Sequence, residues 1–149
     1  MDALDRKILS VLQANARASL QEVGQAVGLS SSPCWERIRK LEAAGVIEGY
    51  TVRLNAQALG LNETVLVQLT LDSHTDNTLE KFGEVLATIP EVIEAYLVSG
   101  EYDYLLRVAV KDTRDYERLL REKLYKIKGI RHSKSSFVLR TMKKADLPL

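Results

Sequence analysis

The sequence predicts an α+β fold in two parts, helices first and then a mixed run of strands and helices. Three observations carry that expectation. Apolar residues recur at three- and four-residue spacing up to Gly45, strict alternation takes over after Glu63, and the runs that follow have the order β-α-β-β-α-β. With 149 residues, 46% of them hydrophobic, both parts can bury a core.

The first helix is marked by Leu4, Ile8, Val11 and Leu12, with Asp2 and Asp5 suited to its first turn and an end near Asn15. Ser19 and Glu22 have the spacing of a capping box, in which each side chain meets the other's free amide proton. Leu20, Val23 and Val27 then give a short second helix, and Gly28 suits the left-handed position after it. The third helix starts within Ser30-Ser31-Ser32-Pro33, capped by Ser30 or Ser32, with Pro33 tolerated in its first turn. Cys34, Ile38 and Leu41 share its inner face, and Gly45 ends it. Residues 46–52 are β-branched and read as a small wing or connecting strand. Together these elements form a winged-helix-like helix-turn-helix over residues 1–53, with a linker at 54–62 holding one helical turn.

Over 63–149 the pattern is different. Val65, Val67, Leu69 and Leu71 alternate with polar residues, giving a strand with one buried face. Leu79, Phe82, Leu86 and Ile89 mark a helix stopped by Pro90; 92–98 and 104–110 are strands around a turn at Gly100. Tyr116, Leu119, Leu120, Leu124 and Ile127 mark a second helix ended by Gly129, and the last strand lies within 130–139. This is the split βαβ, or ferredoxin-like βαββαβ, order, with both helices on one face of the sheet. The other face, with Val65 or its neighbours pointing to it, is left bare, and a second subunit is its expected cover.

Composition restricts function without choosing it. Net charge is +1, with seven Lys/Arg against six Asp/Glu in residues 1–60 and fourteen of each afterwards. DNA affinity must therefore come from the placement of the cations, not their number. No apolar run approaches the roughly 18 residues of a membrane span, and the acidic N-terminus has no signal-peptide core, so a cytoplasmic protein is expected. Cys34 is the only cysteine, which excludes an internal disulfide; its phase with Ile38 and Leu41 makes it a buried structural residue rather than an oxidant sensor. His74 and His132 lack Glu or Cys at ligand spacing, so neither a metal nor another cofactor is expected.

The second and third helices, joined through Gly28, have the form of a DNA-binding hairpin whose second helix enters the major groove. Ser31, Ser32, Trp35 and Glu36 would then face base edges, with Arg37, Arg39 and Lys40 meeting phosphates or bases from the helix flank. Trp35 is out of phase with the core and either faces DNA or packs on the first helix. The bland alternative is a helical hairpin with a solvated basic face.

Several strings here resemble the Lrp/AsnC family, the feast/famine regulators: Ile8-Leu9 through Asn15-Ala16-Arg17, Leu29-Ser30-Ser31-Ser32-Pro33-Cys34-Trp35-Glu36-Arg37-Ile38-Arg39-Lys40-Leu41-Glu42, Gly45-Val46-Ile47-Glu48-Gly49-Tyr50, Val98-Ser99-Gly100-Glu101-Tyr102-Asp103-Tyr104-Leu105-Leu106 and Gly129-Ile130. The resemblance covers nearly the whole chain in the family's order. It implies a transcription regulator that binds double-stranded DNA as a homodimer, assembled further into tetramers or octamers. It also implies an amino-acid effector, with leucine or methionine as the default. The family's effector site maps to Ser99, Gly100, Glu101, Tyr102 and Asp103, and to the last strand, where Ser133 and Ser135 stand in place of a frequent Thr-x-Thr. Asp103 would attract an α-ammonium group or hold the loop; an ordinary hairpin turn is the alternative for Gly100 and Asp103. Two other functions share the architecture. One is a siroheme-decarboxylase-like enzyme, disfavoured because neither histidine is expected beside the Gly100 turn. The other is a modulatory subunit that does not bind DNA, disfavoured by the basic residues Arg37, Arg39 and Lys40.

Overall fold

The computed structural model describes residues 1–148, apart from the side chain of Asp76. Leu149, the last residue of the expected C-terminal domain, lies outside the described residues. The chain forms two compact units, Met1–Leu54 joined by the tail from Lys143, and Asn55–Met142. Among the described residues no helix is long and apolar enough to cross a membrane.

The first unit is a three-helix arrangement: α1 (Ala3–Ala14), α2 (Leu20–Val27) and α3 (Ser31–Ala43). Both capping boxes form. Asp2 and Asp5 exchange side-chain-to-amide bonds at the start of α1, and Ser19 and Glu22 do so at the start of α2. Gly28 closes α2 with φ 76°, a conformation that costs a side-chain-bearing residue about 1–2 kcal/mol. Ser30 takes the cap position of α3, and its hydroxyl makes no capping bond. Ile8, Leu12, Val23, Cys34 and Ile38 meet in the centre of the unit. The tail folds onto the same unit, where Gln13 Nε2 donates to the Leu147 carbonyl at 3.1 Å and Arg53 lies 3.5 Å from Asp146.

One expectation fails here. Residues 46–52 form no strand, and the first unit has no wing. Their β-branched composition suits a strand, but no second strand is present in this unit among the described residues to complete a ladder. The segment is held otherwise. The amides of Val46 and Ile47 donate to the Leu41 carbonyl, Ile47 packs on the helical core, and the Tyr50 hydroxyl donates to Glu42 at 2.9 Å.

The second unit runs β1 (Glu63–Leu71), α4 (Asp76–Ala87), β2 (Val92–Leu97), β3 (Tyr104–Val110), α5 (Thr113–Glu122) and β4 (Ile130–Phe137), preceded by a 3-10 turn at Gln57–Leu59. The strands form one antiparallel sheet in the order β2-β3-β1-β4. Val65, Val67, Leu69 and Leu71 of β1 and Tyr104, Leu106, Val108 and Val110 of β3 point to the core, against Phe82 and Leu86 of α4 and Tyr116 and Leu119 of α5. Val65 is thus on the covered side. Its neighbours Thr64 and Leu66 lie on the opposite face, with Leu105 and Arg107 of β3 and Tyr96 of β2 in register beside them. The second helix is shorter than its apolar period implies. It stops at Glu122, and Leu124–Lys126 tightens into a 3-10 turn that keeps Leu124 in the core.

Candidate nucleic-acid interface and effector loop

The helix-turn-helix is built from α2, the Gly28 turn and α3. At ~100° per residue, the buried stripe Cys34, Ile38 and Leu41 leaves Ser32, Trp35, Glu36, Arg39 and Lys40 on the open side of α3. All five are exposed, as is Ser31 at the start of the helix. Trp35 is 47% exposed and lies outside the helical core, which separates the two readings of this residue in favour of the open face. The Arg39 guanidinium carbon is 5.3 Å from the centre of its ring.

Arg37 behaves differently from its neighbours. It projects from the flank of α3 toward the start of α1, where Nη1 is 2.7 Å from both Asp2 Oδ2 and Asp5 Oδ1. The carboxylates that cap α1 therefore also hold α3. Main-chain N–H bonding and then the Arg37 guanidinium keep both carboxyls below the usual aspartate range, and the two aspartates in turn raise the Arg37 pKa. Sequence spacing gives no hint of this contact, since the partners are more than thirty residues apart.

The depressed aspartates fix a pH dependence. Their folded-state pKa values lie below the ordinary aspartate range, so their contribution is present above that range and is lost as pH falls through it to the folded values. Acid titration is expected to loosen the α1–α3 contact below about pH 4, and the Arg37→Ala variant to lose the guanidinium's share of that dependence while the capping-box share stays. Far-UV circular dichroism melts of both proteins between pH 3 and 6 check this; equal acid sensitivity would contradict it.

Residues 99–103 link β2 and β3. Gly100 has φ 138°, a region open mainly to glycine. Asp103 is tied into the sheet from both ends. Its amide donates to the Leu69 carbonyl at 2.9 Å, and its carboxylate accepts the Leu71 amide at 2.7 Å. The same carboxylate meets His74 Nε2 at 2.9–3.0 Å. This corrects the expectation that no histidine stands beside the Gly100 turn. His74 reaches it because β1 and the segment after it run alongside the loop, a placement that 29 residues of separation conceal. Ser133 pairs with Leu69 from the other side of β1, so the loop and the last strand flank the same stretch of backbone. Ser135 pairs with Val67 and shares a hydrogen bond with the Tyr116 hydroxyl. Ser99, Gly100 and Glu101 are exposed and Tyr102 is half-buried. Tyr104 turns inward, packing on Phe82 and donating to the Leu79 carbonyl.

A family model described as the AsnC-type helix-turn-helix domain matches residues 1–42, and one described as the Lrp/AsnC ligand binding domain matches residues 64–148. The chain belongs to the Lrp/AsnC family. Within it, the chain is 38% identical over 146 residues to the leucine-responsive regulatory protein of Escherichia coli K12, covering 98% of this chain and 89% of that one. The leucine-responsive regulatory protein of Klebsiella pneumoniae is equally similar. An AsnC family transcriptional regulator from Agrobacterium tumefaciens superposes with a TM-score of 0.94 at 40% identity, covering 99% and 97% of the two chains. A transcriptional regulator from Neisseria meningitidis, solved as a complex with L-Met, superposes with 0.93 at 32% identity, covering 99% and 96%. As a Lrp/AsnC transcriptional regulator, the protein combines a DNA-binding helix-turn-helix in its first unit with a ligand-binding domain in its second.

Proposed function

We propose that this regulator binds specific operators through Ser31, Ser32, Trp35, Glu36, Arg39 and Lys40, and that an amino acid tunes that binding through residues 99–103 with Ser133 and Ser135. The observation that carries the first half is the open face of α3, where Arg39 and Lys40 have no acidic partner among the described residues. Arg37, paired with Asp2 and Asp5, holds the helix in place from its flank. Leucine or methionine is the effector of choice, supported by the leucine-responsive relatives and the L-Met complex of the Neisseria protein. Such a protein works where the chromosome is, in the cytoplasm, and catalyses no reaction.

Two copies pair through the uncovered sheet face. Leu66, Leu105 and Tyr96 supply apolar surface there, and the Arg107–Glu94 pair, with contacts of 2.6 and 2.8 Å, supplies a polar rim. Leu66→Asp is expected to shift the chain to monomer in sedimentation-velocity runs, and an unchanged mass would remove this face as the interface.

The DNA half is tested by duplex titrations at several salt concentrations. Arg39→Ala is expected to weaken binding and lower the salt slope by about one, the signature of one lost phosphate-proximal cation, or to relax one base position. Unaltered affinity and slope would remove α3 from the interface. The effector half is tested by thermal melts with each of the twenty amino acids, because a ligand that binds the folded state raises its midpoint by mass action.

A further inference from the structure

Three cations lie along α3, and each is held differently. Arg37 is neutralised by Asp2 and Asp5. Lys40 has no carboxylate partner among the described residues. Arg39 has no carboxylate partner among the described residues, yet it is not loose, because its guanidinium lies over the Trp35 indole one turn earlier. A carboxylate would hold an arginine by consuming its N–H groups and its charge. An indole face attracts the cation electrostatically and takes up none of its N–H donors or its charge. Those donors match the O6 and N7 acceptors of guanine in the major groove. Trp35 itself is about half exposed and outside the core cluster of the helical unit.

We propose that Trp35 is a positioning residue that acts through Arg39, holding the guanidinium on the open face of α3 so that it reads one guanine of the operator. The inference rests on the DNA-contact reading of α3 given above. A long side chain restrained before binding loses less rotamer freedom on contact, so the aromatic platform sharpens discrimination rather than adding a phosphate contact.

The test uses the full chain. A preferred duplex is first enriched from a randomised pool, and affinities are then measured for it and for versions with each G·C pair replaced. Arg39→Ala is expected to lose preference at one G·C pair by on the order of ten- to a hundredfold. Trp35→Ala is expected to lose preference at that same pair, by about fivefold, with the salt slope unchanged. Trp35→Phe, which keeps an aromatic face, should restore most of it. The double variant should be no worse than Arg39→Ala alone, because one residue works through the other. Melting curves of each variant report the fold directly. Multiplying fold-changes, or a uniform loss across all duplexes for Trp35→Ala, would overturn the coupling while leaving α3 as the DNA-binding helix. Failure of the wild-type chain to enrich any duplex would overturn both.

Discussion

Ile8→Ala is expected to abolish operator binding at 37 °C while the sheet unit stays folded. Ile8 is fully buried on α1 among Leu12, Val23, Cys34 and Ile38. Truncating a buried isoleucine costs about 2–5 kcal/mol through lost burial and the cavity left behind. At roughly 0.05–0.15 kcal/mol per residue, a unit of some fifty residues has only about 3–8 kcal/mol to lose. The second unit has its own core between sheet and helices and does not use Ile8. Calorimetry should therefore show an early transition split from a later, unchanged one, and duplex binding should vanish above the first. A single transition with retained binding would mean that the helical core is more tolerant than its size implies.

Asp103 separates scaffold from ligand chemistry when two replacements are compared. Asp103→Ala removes the acceptor of the Leu71 amide, on a residue only 1% exposed, and leaves a buried N–H without a partner. That costs about 1–3 kcal/mol, so the midpoint of the sheet unit should fall by several degrees. Asp103→Asn keeps a carbonyl oxygen for Leu71 and can still bond His74, so its stability should stay near wild type. It removes the anion that an α-ammonium group would seek. The expected result is that both variants lose stabilisation by leucine or methionine, but only the alanine variant melts early. If Asp103→Asn responds to the amino acid like the wild type, Asp103 is a loop staple alone.

Where the sequence was informative, the determinants were local. Asp2 with Asp5 and Ser19 with Glu22 announce helix starts because a capping box closes within four residues, and both form. The alternation Val65, Val67, Leu69, Leu71 reads directly as the buried side of β1, since a strand turns over every second residue. The exposed face of α3 follows in the same way from the phase of Cys34, Ile38 and Leu41. What escaped depends on partners distant in sequence. Residues 46–52 carry strand chemistry without a strand to pair with. The ion pair of Arg37 with Asp2 and Asp5 joins residues more than thirty positions apart, and His74 looks unrelated to the 99–103 loop until β1 brings it to Asp103. The premature end of α5 escaped as well, because Leu124 fits the helical phase of Tyr116 and Leu120, yet the chain tightens after Glu122 while Leu124 stays in the core.

The seclusion of Cys34 makes the protein its own stopwatch. Cys34 is 0% exposed, and desolvation pushes its thiol pKa above the ordinary cysteine value, so the intact bundle resists alkylating and oxidising reagents alike. As the chain's only cysteine, it turns each covalent adduct into a record of one opening of the helices around it. The labelling rate then follows how often the DNA-reading half breathes, and comparing it with and without a bound amino acid tells whether the signal arrives as a tightening of that bundle.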